Sequence, residues 1–387
     1  MKVLFIAPPL YGLTYPIITL AQAFRTAGAR TIVATAGAMA TKVAHAGLAA
    51  YDAAPDCDAD AEYARWEDKR KQAHAGTRPM GFPFFSDLLI DAADALIQDW
   101  HPDLIIYPPL GVCARVLGTR HEIPTVMQTV GFAHQAHHVD VVTQALLDAR
   151  PDLGLQVADL AADRAWIDVA PPSMTVLECP APQCLPMRYV PYNGGAVVGN
   201  LWPRHTQDDA ESDAARTPRR VAVSLGTLKP MVDGLGLLAT ILNGQDDAVA
   251  DVDYVIQLRH NARAELPERL PDNVRVVDWF PGGVLDDADL FIHHGGAGNT
   301  LTALHHGVPQ IVFGQGADRP LNARLVADAG CGLIPGEDGL TAQLVAGALD
   351  DAQLAEAARR VRAEMAQMPS PAQVVEQLAD LTSRQRG

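Results

Sequence analysis

The sequence predicts an α/β protein of two doubly wound parallel-sheet domains that face each other across a cleft. Three observations carry that reading. Short apolar runs alternate with helical patterns in both halves of the chain, the signature of parallel strands covered on both faces. Near residues 288–306 an apolar strand runs into a glycine-rich turn and then a helix, and open α/β sheets bind ligands at such carboxyl ends of strands. A small, charged stretch, Asp208 to Pro218, separates the halves as an exposed linker does.

In the first half, Val3 to Ala7 reads as a fully buried strand. A helix from Pro16 to Gly28 follows, with Thr14 as its cap and proline near its first turn. Thr31 to Ala34 is the next strand and Met39 to Ala46 the next helix. Asp56 to Pro83 breaks the alternation. It is polar, with Trp66, Phe82, Phe84 and Phe85 around a Gly-Thr-Arg-Pro turn, and it reads either as a binding loop or as a solvated excursion. A helix from Asp87 to Trp100, a strand from Leu104 to Tyr107, a helix from Gly111 to Arg120 and a strand from Pro124 to Gln128 restore the pattern. Residues 171–203 are rich in proline and glycine.

The second half repeats the architecture. Val221 to Ser224, Tyr254 to Leu258 and Val274 to Val277 are strands, and Trp279-Phe280-Pro281 precedes a short helical turn to Asp287. Ala288 to Ile292 is a strand, Thr300 to His306 a helix, and Gly307-Val308-Pro309 a helix stop before the next strand. Thr341 to Arg384 is helical, interrupted by Pro369 and Pro371. The resulting domains are 1–203, 220–368 after a linker at 204–219, and a helical tail, 369–387, expected to pack back on the first domain.

Composition excludes several classes. A chain of 387 residues has room for two or three domains and large cores. With 48% hydrophobic and 20% charged residues it is globular rather than disordered. A net charge of −16 argues against nucleic acid or an anionic membrane as a partner. An anionic substrate therefore needs a local positive field. Cys57, Cys113, Cys179, Cys184 and Cys331 are odd in number and contain no C-x-x-C pair, which fits a reduced, cytoplasmic setting. The apolar start, Met1 to Ala7, is too short for a signal peptide, and no apolar run approaches membrane-spanning length.

The chemistry concentrates in His293-His294-Gly295-Gly296-Ala297-Gly298-Asn299-Thr300. Glycine lets backbone approach a ligand closely and adopt positive φ. A helix N-terminus offers free N–H groups and about half a unit of positive charge. Strand, glycine loop and helix start together form an anion site, most often for phosphate, and His294 at its mouth can donate to an anionic oxygen. The stretch by itself also reads as a glycine turn with two core histidines.

Taken with Gly307-Val308-Pro309-Gln310 and Asp318-Arg319-Pro320-Leu321-Asn322-Ala323, the stretch resembles the donor-binding segment of the GT-B, family-1 glycosyltransferases. Their pattern is roughly H-H-G-G-x-G-T, G-V-P-Q and D-Q-x-x-N-A. Arg188 to Ala196 resembles the end of that family's first domain. Within the family the chain looks most like the actinobacterial enzymes that decorate natural products, such as the enediyne (calicheamicin) glycosyltransferases.

The resemblance implies a GT-B fold and inverting transfer of a deoxysugar from a dTDP-sugar to a large, flat, apolar acceptor. Gly226, Thr227, His294 and the amides of Gly296, Ala297, Gly298, Asn299 and Thr300 would hold the diphosphate. Trp279 would stack on the base, the Phe280 backbone would meet the base edge, and Asp318 would contact sugar hydroxyls. Some members carry a glutamate for the ribose hydroxyls where Thr302 stands here, which favours dTDP over UDP. Arg319 replaces the usual glutamine and can pair with Asp318. Gly12, Leu13, Trp66, Phe82, Phe84, Phe85, Phe132 and His137 are the expected acceptor contacts.

The first domain departs from the family. Leu13 stands where a histidine normally deprotonates the acceptor, and Pro108-Pro109 stand where an aspartate normally orients it. A positioned general base contributes typically about 10²–10⁴-fold. Three explanations remain open. His134 substitutes, with Thr14 orienting the nucleophile; or the acceptor is a hydroxylamine, an enol or an acidic phenol that needs little help; or the protein binds without catalysing. An NDP-sugar epimerase of the same fold is a further alternative.

Two metal readings are weaker than their alternatives. His134, His137 and His138 form H-x-x-H-H without a ligand pattern around them. Asp56-Cys57-Asp58-Ala59-Asp60 contains D-x-D inside a solvated acidic run. No metal or other cofactor is expected, with the dTDP-sugar as co-substrate. Donor and acceptor are the expected partners, and a homodimer is compatible with the sequence.

Overall fold

The computed structural model describes residues 1–72, 83–132, 136–176, 179–196, 202, 218–224, 251–258, 269–280 and 283–383. They divide into two compact units, one of residues 1–192 with 367–387 and one of residues 193–366. Among the described residues no helix is long and apolar enough to cross a membrane.

The first unit holds a wholly parallel sheet of β1 (Lys2–Ile6), β2 (Arg30–Thr35), β3 (Ala49–Asp52), β4 (Leu104–Tyr107), β5 (Thr125–Gln128), β6 (Ala165–Asp168) and β7 (Cys184–Pro186). Their spatial order is β3-β2-β1-β4-β5-β6-β7. The helices are α1 (Tyr11–Thr26), α2 (Ala38–His45), α3 (Ala59–Gln72), α4 (Pro83–Trp100), α5 (Cys113–Arg120) and α6 (Ala136–Ala149). Leu4, Ile6, Ile105 and Met127 of the sheet pack with Leu89, Ala93 and Ile97 of α4 and Val142 and Leu146 of α6. Helices on both faces explain why β1 and β4 are continuous apolar runs rather than alternating ones.

Helix α1 begins at Tyr11, five residues before the expected start. The amides of Leu13 and Thr14 already bond to the Leu10 carbonyl, at 3.0 and 2.8 Å. Pro16 therefore lies inside the helix, and Thr14 is not its cap. The polar stretch after Asp56 is a second correction, because residues 59–72 are helical. Asp58 Oδ1 accepts the amides of Asp60 and Ala61, both at 3.1 Å, so the D-x-D carboxylate is occupied as a helix cap. Helix α4 starts at Pro83 rather than Asp87, with proline in the position that needs no N–H.

The second unit holds another wholly parallel sheet, of β8 (Arg219–Ser224), β9 (Val252–Gln257), β10 (Val274–Val277), β11 (Leu290–His293), β12 (Gln310–Val312) and β13 (Gly332–Leu333). Their order is β10-β9-β8-β11-β12-β13. Among the described residues its helices are α7 (Ala297–His306), α8 (Arg319–Asp328), α9 (Ala342–Asp350) and α10 (Ala352–Gln367). The last helix, α11 (Pro371–Ser383), belongs to the first unit and lies against α1. The Arg188 amide bonds to the Pro369 carbonyl at 2.8 Å as the chain re-enters that unit. Of the expected linker, 204–219, only the last two residues are described.

In the second sheet the chain reverses its order of strand addition between β8 and β11. Loops diverge above and below the sheet at such a point and leave a crevice at the carboxyl ends. Ser224 and His293, the last residues of those strands, are paired there. The same reversal in the first unit falls between β1 and β4.

Candidate functional site

The switch point of the second unit carries the glycine loop. Gly295 has φ +90°, and a Cβ there would lie 3.0 Å from both the Phe313 carbonyl oxygen and Val312 Cγ1. Only glycine fits. Its peptide is held at both ends. The N–H donates to His293 Nδ1 at 3.0 Å, and the carbonyl accepts Asn322 Nδ2 at 2.9 Å. His293 Nε2 faces Gln310 Oε1 at 2.8 Å. Burial pushes the His293 imidazole down to about 4, against the pull of that bond to Gln310. His293 is thus a core histidine that braces the turn.

His294 has a different role. Its ring keeps a partly exposed edge, while Nδ1 is sealed and makes no well-formed hydrogen bond among the described residues, with the Ser224 carbonyl pulling weakly on the ring. Burial first, then the Arg319 guanidinium and His293, hold its pKa down at about 3. The ring is therefore neutral at physiological pH, able to donate or accept a hydrogen bond but carrying no charge. It packs over Gly296, where an added Cβ would come within 2.5 Å of Nε2.

Helix α7 starts at Ala297 rather than Thr300, with Gly296 as an N-cap that offers no side chain. The first helical bond runs from the Thr300 amide to the Gly296 carbonyl at 3.1 Å. The amides of Ala297, Gly298 and Asn299 precede it and meet no capping side chain among the described residues. Thr300 is buried, and its hydroxyl turns back to the Gly296 carbonyl. Asn299 Nδ2 donates to Ser224 Oγ at 3.2 Å, and Ser224 Oγ donates to Gln257 Oε1 at 3.1 Å. Gly226 and Thr227 lie outside the described residues.

Asp318 is exposed and accepts Asn322 Nδ2 at 2.9 Å. The expected pair between Asp318 and Arg319 does not form. Arg319 Nη1 instead donates to the Gln315 carbonyl at 3.2 Å, and its Cβ lies 3.2 Å from where a Gly295 side chain would start. Its charge is felt at the His294 ring, whose pKa it helps to lower. At the far side of the sheet, after β10, Trp279 Nε1 donates to the Asn193 carbonyl at 2.7 Å. Asn193 Nδ2 in turn donates to the Phe280 carbonyl at 2.8 Å, so that carbonyl already has a protein partner. Phe280 packs against Phe291 in a core with ring centroids 6.1 Å apart.

Of the residues expected in the first unit, several are described and take the following positions. Gly12 is exposed, Leu13 is buried, and Thr14 is wholly buried with its hydroxyl donating to the Pro8 carbonyl at 2.7 Å. That bond ties α1 to the turn after β1 and leaves no hydroxyl facing a substrate. Phe85 and Phe132 are buried in the core. Trp66 and Phe84 are half-buried on helices α3 and α4, not on a loop. Phe82 and His134 lie outside the described residues, as does the side chain of His137. The turns after β1 and β4 carry Pro8-Pro9 and Pro108-Pro109, all buried. Among the described residues no group of three histidines, cysteines or carboxylates is placed to hold a metal.

Asn322, Asn193 and Gln310 lie inside the stretches the sequence singles out, but their roles do not show there, because they hold Gly295, Phe280 and His293, 27, 87 and 17 residues away. Sequence reasoning missed an aromatic trio at the start of α1. Tyr15 meets Tyr11 and Tyr192 edge-on, with centroids 5.1 and 5.0 Å apart. Their signal was the unexplained density of tyrosine beside the expected acceptor position.

The chain matches the family described as erythromycin biosynthesis protein CIII-like, its N-terminal domain over residues 22–226 and its C-terminal domain over residues 245–381. It is 33% identical to the elloramycin glycosyltransferase ElmGT of Streptomyces olivaceus, covering 98% of this chain and 97% of that one. The crystal structure of the glycosyltransferase SnogD from Streptomyces nogalater is similar at a TM-score of 0.78 and 31% identity, over 99% of both chains. The Streptomyces sp. SF2575 glycosyltransferase SsfS6, complexed with thymidine diphosphate, is similar at a TM-score of 0.77 and 26% identity, over 98% of this chain and 99% of that one.

Proposed function

The chain belongs to the EryCIII-like family of antibiotic glycosyltransferases, and from that premise we propose that it moves a deoxysugar from a dTDP-sugar to an apolar natural-product acceptor with inversion. The observation that carries the reading is the uncapped start of α7 beside His294. In the displacement the acceptor oxygen attacks the anomeric carbon opposite the diphosphate. Positive charge grows on the sugar and negative charge on the departing oxygen. Fixed amides of residues 297–299, a neutral imidazole donor and the Arg319 guanidinium meet that negative charge without reorganising, which is where electrostatic preorganisation lowers a barrier. These groups neutralise the leaving diphosphate without a metal ion.

The remaining roles follow the same logic. Trp279, locked by Asn193, stacks on thymine. Asp318, steadied by Asn322, accepts from sugar hydroxyls. Thr302 spends its hydroxyl on the Gly298 carbonyl at 2.6 Å and offers no carboxylate to a ribose diol, which suits a deoxyribose. With Leu13 and Pro108-Pro109 at the positions of the usual base pair, the acceptor supplies its own acidity as a hydroxylamine, enol or phenol. Incubation with a dTDP-deoxysugar and a panel of aglycones tests the reading. Release of dTDP with an inverted glycoside, assigned by anomeric coupling in NMR, is expected. A retained configuration, or UDP-sugar preferred over dTDP-sugar, would overturn it.

A further inference from the structure

Asn322 stands in the first turn of α8 and is 1% exposed. A side-chain amide nitrogen carries two hydrogens, and both are committed. One goes to the Gly295 carbonyl at 2.9 Å and the other to Asp318 Oδ2 at 2.9 Å. The first acceptor belongs to the peptide that leads into the uncapped amides of α7. The second is the exposed carboxylate whose other oxygen accepts nothing among the described residues. A buried amide that bridges a fixed backbone carbonyl and an exposed acid is a mechanical link, because moving either acceptor breaks a bond that water cannot replace. Gly295 cannot absorb such a movement, since its N–H is held by His293 and the space beside its Cα is filled.

We propose that Asn322 is a positioning residue that couples the sugar end of the donor site to its diphosphate end, by holding the Asp318 carboxylate and the Gly295 carbonyl with one amide. The inference rests on the donor-site reading above, in which Asp318 meets the sugar and the glycine loop meets the diphosphate. A sugar that engages Asp318 pins the carboxylate, which pins the amide, which steadies the peptide presenting the α7 amides. Coupling of this kind is reciprocal: whatever factor the sugar adds to the diphosphate grip, the diphosphate adds to the sugar contact.

The test is calorimetric titration of the full chain with two probes, dTDP and dTDP-glucose. Wild type binds dTDP-glucose more tightly than dTDP. Asp318→Ala removes that ratio and weakens dTDP less than the Asn322 variants do, because the Asn322 bond to the Gly295 carbonyl remains. Asn322→Ala and the isosteric Asn322→Asp remove the ratio and also weaken dTDP about tenfold, the scale of a lost buried hydrogen bond to a charged or constrained group. Adding Asp318→Ala to Asn322→Ala changes the ratio no further. A purely structural role weakens both probes alike and keeps the ratio, so a folded Asn322 variant with a wild-type ratio overturns the proposal. Should neither variant fold, the Asn322 side-chain amide resonance of wild type decides. It shifts with dTDP-glucose beyond its shift with dTDP, and Asp318→Ala abolishes the difference; equal shifts overturn the coupling. Wild type that binds neither probe overturns the donor-site reading instead, whereas wild type that binds both equally overturns this inference alone.

Discussion

The amide of Gly295 donates to Nδ1 of His293 at 3.0 Å, and that single bond fixes the tautomer of a buried imidazole. With Nδ1 an acceptor, the proton sits on Nε2 and donates to Gln310 Oε1 at 2.8 Å. Protonation would put a second hydrogen against the Gly295 N–H and unseat the loop.

Stability should therefore depend on pH in a defined window. The folded pKa of His293 lies at about 4, below the ordinary 6.5. Between those values the unfolded chain binds more protons than the folded one. The stabilisation is complete above pH 6.5 and is lost as the pH falls toward 4. His293 alone accounts for a loss on the order of 3 kcal/mol across that range. Urea unfolding of wild type and His293→Gln at pH 7, 5.5 and 4.5 checks it. The variant starts less stable and declines less steeply, and equal slopes would exclude His293 as the source.

His294 and Gly296 should behave as one unit in binding. His294→Ala is expected to weaken dTDP at least tenfold, as loss of a hydrogen bond to a charged group does (about 1.5–3 kcal/mol). His294→Gln, a neutral donor, should recover part of the loss, because the ring pKa of about 3 makes charge irrelevant at neutral pH. Gly296→Ala is the sharper variant. The backbone there, φ −62° and ψ 142°, suits alanine, yet the new methyl meets His294 Nε2 at 2.5 Å. It should displace the imidazole and cost affinity like His294→Ala, with a small change in melting temperature. The double variant should be no worse than either. Additive losses in calorimetry would mean that the ring and the loop act separately.

How much of this was legible before the structure follows from the range of the interactions involved. Leu104 to Tyr107 was read to the residue, since a strand buried on both faces has no polar position to blur its limits. The glycine loop was legible because its composition states its backbone needs. Helix α3 was not, because it is polar and gets its start from one Asp58 cap rather than from an apolar stripe. Pro16 misled for a local reason: proline suits a first turn, but the helix had already begun on the Leu10 carbonyl. Partners such as Asn193 with Trp279, 86 residues apart, leave no trace in a pattern of near neighbours. Phe85 and Phe132 are wholly buried, which a pattern of aromatic residues near a turn does not reveal.

The Trp279 contact predicts a graded series. Trp279→Ala should weaken dTDP about tenfold, within the 1–3 kcal/mol of a base–aromatic stack. Asn193→Ala removes the partner of the Phe280 carbonyl while keeping the backbone carbonyl that receives Trp279 Nε1. Its loss should be smaller, about threefold, from a ring and strand end held less firmly. Fluorescence titration of the tryptophan signal with dTDP measures both. An Asn193→Ala loss as large as that of Trp279→Ala would make the asparagine itself a ligand.

The acceptor side yields the most discriminating experiment. On the proposed reading, with Leu13 and Pro108-Pro109 at the positions of the usual base pair, proton removal would fall to His134 or to the acceptor, and a protein that only binds would form no product. If the acceptor's own acidity carries the step, kcat/KM across a series of aglycone phenols rises as their pKa falls, and His134→Ala leaves that slope and the pH profile unchanged. If His134 is the base, the variant loses about 10²–10⁴-fold, and the acidic limb of the pH profile disappears with it. Leu13→His separates the cases further. Leu13 is buried at 7% exposure, and Pro108-Pro109 supply no carboxylate to orient an imidazole, so the substitution should lower stability without raising turnover of a simple alcohol. A gain with alcohols would show that the position still faces the reacting oxygen, and that the fold lost only the base and not the geometry around it.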